Sequence, residues 1–111
     1  MDYKQIQNMI ESTGLPNVYH AFPVGAVPDL PYIVYEFPNS DNFGADDKVW
    51  QRIDALRIFL CTRNKDPETE KLLESVLDNN SIYWEKLEDY TESDSMYMIQ
   101  YDMEVMITDG E

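Results

Sequence analysis

From Asp47 to Cys61, apolar side chains fall on both alternating sets of positions. Trp50, Leu56, Ile58 and Leu60 share one face, and Val49, Ile53, Ala55 and Phe59 share the other. A strand that is apolar on both faces lies inside its sheet or is covered on both sides. This stretch is therefore read as the central strand. Its first half carries Gln51, Arg52 and Asp54, so that end approaches solvent.

The other strands follow from alternation and residue type. Tyr97 to Ile107 alternates most regularly: Tyr97, Ile99, Tyr101, Met103, Val105 and Ile107 face one way, and Gln100, Asp102 and Glu104 the other. Tyr32 to Phe37 is rich in β-branched and aromatic residues and stops at Pro38. Ile82 to Tyr90 begins with Tyr83 and Trp84 and turns charged from Glu85 to Asp89, as an exposed or edge segment would. Asn17 to Phe22 reads as a short edge segment, and Pro23, Gly25, Pro28 and Pro31 make the following stretch a loop. Asn39 to Lys48 is polar, contains Gly44 and reads as a long hairpin connection.

Two segments have helical spacing. In Asp2 to Ser12, residues Tyr3, Ile6, Met9 and Ile10 share a face, Asp2 and Gln5 can form a capping box, and Gly14 and Pro16 stop the helix. In the second, Asp66 caps, Pro67 takes the first position, and Glu68 and Glu70 fill the first turn. Leu72, Leu73, Val76 and Leu77 are its expected buried stripe. The order is helix, hairpin, helix, hairpin over a single domain, residues 1–111. The expected class is α+β: a mainly antiparallel sheet of about four strands with two helices packed on one face and the other face wetter.

Composition changes the picture mainly through charge. The 111 residues suit one core. Acidic residues number 22 against 8 basic ones, for a formal net charge of −14. Such a surface repels nucleic acid phosphate and anionic membranes, so neither sequence-specific nucleic acid binding nor membrane association is expected. The single cysteine, Cys61, rules out an internal disulfide and suits folding in a reducing cytosol. The first residues lack a signal-peptide pattern, and the apolar runs are too short to span a membrane.

Candidate chemistry is sparse. His20 is the lone histidine and reads as structural. Cys61 ends an apolar run and reads as a core thiol without a base. The segment from Asp41 to Asp47 is acidic but lacks the ligand spacing and closing glutamate of an EF-hand. No glycine-rich phosphate loop, paired Cys/His spacing or basic patch occurs. No catalytic residue, cofactor or metal is expected. Phe43 stands out because it lies in a polar loop with no periodic pattern to bury it.

Several strings together resemble a known family. Leu15-Pro16-Asn17-Val18-Tyr19-His20-Ala21-Phe22-Pro23 is followed by Pro31-Tyr32-Ile33-Val34-Tyr35 and Asp41-Asn42-Phe43-Gly44-Ala45-Asp46. A long strand, an acidic helix with Leu72, Val76 and Leu77, and Ile82-Tyr83-Trp84-Glu85-Lys86 through Tyr97 and Tyr101 complete the pattern. It resembles the small tail-completion, tail-terminator-like or head–tail joining proteins of long-tailed bacteriophages and prophages. The resemblance covers nearly the whole chain.

It implies a structural α+β subunit with no reaction and no cofactor. Its partners would be itself, as a hexameric ring, the tail tube protein, and a head connector or head-completion protein. Its place would be the neck or tail of the virion, after assembly in the bacterial cytoplasm. An acidic lumen lets DNA pass without sticking. In that setting Asp41, Phe43, Asp46 and Asp47, on the long hairpin loop, are candidate lumen or partner contacts. The alternative from another class is an acidic DNA mimic that blocks a host nucleic-acid-binding protein, which needs carboxylates in spaced rows on one surface.

Overall fold

The computed structural model describes residues 1–40, 42–45, 48–91 and 96–108, with the backbone alone described at 43, 45, 48–50 and 89–91. The elements are α1 (Tyr3–Glu11), β1 (Asn17–Tyr19), β2 (Tyr32–Glu36), β3 (Phe43–Ala45), β4 (Lys48–Thr62), α2 (Pro67–Asn79), β5 (Trp84–Thr91) and β6 (Met96–Ile107). The main sheet has the order β1-β2-β4-β6-β5, and β3 pairs separately with β4. All pairings are antiparallel except β1 with β2.

The α+β class and the dominantly antiparallel sheet match the sequence reading, and β4 is central as its two apolar faces require. The strand count is higher than four. One addition is β1, a three-residue edge strand parallel to β2. The other is β3, inside the stretch expected to be loop. Its pairing is made by the backbone, so the polar composition of that stretch gave no sign of it. Ser40 also bridges to Asp54, and Ala55 N donates to Asn39 O at 2.9 Å. Residues Lys48 to Gln51 pair with β3 and lie beyond the reach of β6, which begins its register at Arg52.

One core sits between the helices and one face of the sheet. Ile6, Met9 and Ile10 of α1 and Leu73 and Leu77 of α2 pack against Ile33, Tyr35, Leu56, Ile58, Leu60, Ile99, Tyr101, Met103, Val105 and Ile107. The strand residues are all on one face by register: Ile33 opposite Leu60 opposite Ile99, then Tyr35, Ile58 and Tyr101. Neither α1 nor α2 packs on the opposite face. Phe59 and Tyr32 belong to that opposite face and are half-buried.

The helix ends follow the sequence signals. Asp2 Oδ1 accepts from Gln5 N at 2.7 Å, and Asp2 N donates to Gln5 Oε1 at 2.8 Å, closing the capping box. Asp66 accepts from Thr69 N at 3.2 Å and from the Thr69 hydroxyl at 2.6 Å. The buried stripe of α2 differs from expectation. Leu72 is exposed, and Glu70 is buried in the helix–sheet space. Glu70 is held there by Lys65 and Lys86 from outside the helix.

Candidate functional site

The uncovered sheet face is the candidate site. It is built from the side chains that alternate away from the core. Register aligns Glu36 with Arg57, Arg57 with Asp102, and Asp102 with Glu85, a charged row across β2, β4, β6 and β5. The next row is Val34, Phe59, Gln100 and Leu87, mostly apolar. Cross-strand neighbours on one face are close enough for such pairs to interact directly.

The charged row is ordered by hydrogen bonds. Arg57 Nε lies 2.8 Å from Asp102 Oδ1, and its guanidinium reaches Glu36 at 3.9 Å. Gln100 Nε2 donates to Asp102 Oδ2 at 2.7 Å. At the β5 edge, the Tyr83 hydroxyl donates to Glu85 at 3.1 Å. A shallow depression of about 530 Å³ follows the row, lined by Asn39, Ala55, Arg57, Tyr83, Glu85, Asp102, Met103 and Glu104.

The electrostatics fix these charges. Burial pushes the Asp102 carboxyl up, but the hydrogen bonds from Arg57 and Gln100 outweigh it and hold the group below the usual carboxylate range. The Asp102 hydrogen bond raises the Arg57 guanidinium above its ordinary value. The bond to Glu85 raises the Tyr83 phenol. Asp102 and Arg57 therefore remain charged at neutral pH. The row sets two carboxylates, Glu36 and Asp102, around one guanidinium, with Glu85 next along it on β5, beside an apolar strip. That arrangement can hold a polar or basic surface.

Asp41, Asp46 and Asp47 lie outside the described residues, and Phe43 opens β3 opposite Gln51, its side chain likewise outside the described set. Among the described residues, no group of three His, Cys, Asp or Glu side chains is placed to hold a metal ion. No described helix is long and apolar enough to cross a membrane. His20 is exposed, in a left-handed conformation at φ 72° that histidine tolerates better than most residues. Its Nδ1 lies 4.0 Å from Glu36. Cys61 is buried, as expected, and burial pushes its thiol up to about 11.

Sequence reasoning missed the charged row itself. Gln100, Asp102 and Glu104 had the outward alternation, but their alignment with Arg57 and Glu36 depends on strand order and register. The regular alternation of β6 and the lone arginine in the apolar half of β4 were the available signals.

No protein-family model matches the chain, and no curated protein matches it.

Proposed function

We propose that this protein is a non-enzymatic structural subunit of a long-tailed phage or prophage. In this reading it acts in tail completion or head–tail joining, as a ring at the head-proximal end of the tail tube. The observation that carries the reading is the uncovered sheet face. A sheet helix-covered on one side leaves Val34, Phe59 and Leu87 beside the Glu36–Arg57–Asp102–Glu85 row, and Leu87 is 63% exposed. A mixed apolar and charged face of this kind suits docking. The strong negative charge suits a conduit for DNA. The DNA-mimic reading is less well supported, because Arg57 sits inside the carboxylate row and an apolar strip lies against it.

Electron microscopy of the purified protein, alone and mixed with tubes assembled from phage tail tube protein, tests this. Rings capping one end of the tubes are the expected result. Bare tube ends at saturating protein would overturn the reading.

A further inference from the structure

We propose that the loop between β1 and β2 is a docking knob that seats in an aromatic hollow beside α1 on a second copy of this chain. The proposal rests on the ring reading and supplies its subunit contact.

Between His20 and Asp29 the loop runs Ala21-Phe22-Pro23-Val24-Gly25-Ala26-Val27-Pro28, a stretch with no polar side chain. Phe22 folds back, its ring edge-on to Tyr32 at 5.3 Å. Val24 and Val27 stay out in solvent, at 105% and 57% exposure. The tip is nevertheless fixed. Ala26 N donates to Pro23 O at 3.0 Å, and Gly25 takes φ +81°, as the third residue of a type II turn requires. Flanking prolines restrict the free loop, so little freedom is lost when it docks.

The hollow measures about 500 Å³ and is lined by Tyr3, Tyr19, Tyr35 and Phe37 with Lys4 and Gln7. Its rings meet edge to face, Tyr3 with Phe37 at 5.1 Å and Tyr19 with Tyr35 at 5.6 Å. Tyr19 and Tyr3 remain 54% and 45% exposed.

Two observations select a second copy as the occupant. The first is placement. Phe22 and Tyr32 root the loop on the uncovered face, whereas Tyr35 belongs to the helix-covered face. Knob and hollow therefore lie on opposite sides of the β1 edge, and joining them is a head-to-tail contact of the kind that closes into rings. The second is charge. Copies at −14 repel one another, so they approach best where neither brings a carboxylate. The tip from Ala21 to Pro28 is uncharged, with Asp29 at its base, and the described lining of the hollow carries Lys4; the carboxylate that accepts from its Tyr3, Asp54, is buried.

The test is light scattering and sedimentation of the full chain over a wide concentration range, with V24D beside the native protein. Val24 is fully exposed, so V24D leaves the melting temperature unchanged. The native chain is expected to self-associate, and V24D to weaken that association at least about tenfold. In parallel, V24C copies are mixed with Q7C copies under mild oxidation. Buried Cys61 does not compete. A crosslink joining one V24C chain to one Q7C chain supports the proposal. Association unaffected by V24D, or crosslinks only between like variants, overturns the knob and leaves the ring reading standing. A native chain monomeric at every concentration also overturns the knob, while capping of tube ends decides the ring reading separately.

Discussion

Lys86 Nζ on β5 lies 3.2 Å from Glu70 Oε1 on α2, and Glu70 is only 3% exposed. The same ammonium sits 2.9 Å from Glu74, which accepts from the Tyr101 hydroxyl at 2.8 Å. Lys65 closes on Glu70 from the other side at 2.8 Å. A carboxylate among apolar side chains is costly unless paired. This network therefore ties α2 to the β5 edge of the sheet, beneath the uncovered face.

Replacing Lys86 with Met removes the ammonium and leaves Glu70 and Glu74 with less compensation. Lys86 is 36% exposed and Lys65 remains, so the loss is moderated by solvent and by the second partner. The expected destabilisation is about 1–3 kcal/mol. Urea unfolding checks it, as a lower midpoint at unchanged slope. A midpoint equal to the native one would show that the network contributes nothing measurable.

Ser81 follows α2 in a left-handed conformation, φ 58°. Ile82 N donates to Leu77 O at 3.1 Å and Ser81 N to Asp78 O at 3.0 Å, the two bonds of a Schellman cap. A side chain at that φ costs about 1–2 kcal/mol, and glycine gives back about 0.5–1 kcal/mol in unfolded-chain entropy. Ser81→Gly is therefore expected to stabilise by up to about 1 kcal/mol. Thermal unfolding should rise by a few degrees, and a lower melting temperature would contradict the strain.

The contrast between Asp66 and Glu70 shows what the sequence could convey. Asp66, Pro67 and Glu68 are neighbours along the chain, so the helix start was legible from them. Glu70 reads as one more first-turn acid, and its burial depends on Lys65 and Lys86, which only the tertiary fold brings together. Leu72 looked buried because it is apolar, yet the inward arc of α2 runs through Glu70, Leu73 and Leu77. The same limit applies at the candidate site. Alternation placed Asp102 facing away from the core, but the Glu36–Arg57–Asp102–Glu85 row follows from the strand order β2-β4-β6-β5. The long stretch before β4 hid β3, because a short backbone-paired strand leaves no hydrophobic pattern. Its acidic residues Asp41, Asp46 and Asp47 lie outside the described residues.

Cys61 is 2% exposed, and burial raises its thiol from the ordinary 9.0 to about 11. At pH 8 the native thiol should react with a disulfide reagent far more slowly than the urea-unfolded chain, which should take up label promptly. The linkage has a definite sign. A raised folded value means that the unfolded state gives up this proton first. The Cys61 contribution is therefore complete below pH 9 and is lost as the pH rises toward about 11. In Cys61→Ala, stability should fall less over that alkaline window than in the native protein. Rapid native labelling would refute the buried placement.

Asp102 titration offers a test of the row on the uncovered face. Burial, the largest influence on its carboxyl, acts upward, and the bonds from Arg57 and Gln100 bring it below the ordinary value. In Arg57→Met the burial remains while the guanidinium hydrogen bond and charge are gone. Carboxyl-carbon NMR should therefore show Asp102 titrating below about 3.9, the unperturbed Asp value, in the native protein and moving upward in the variant. The sign for stability follows. A depressed carboxylate contributes above its unfolded value and loses that contribution as the pH falls through the folded one. The native protein should thus lose stability on acidification through this window more steeply than Arg57→Met. Equal acid sensitivity, together with an unmoved Asp102 titration, would mean that Arg57 does not hold Asp102 in solution, and that the row across β2, β4, β6 and β5 is not a fixed surface for a partner to meet.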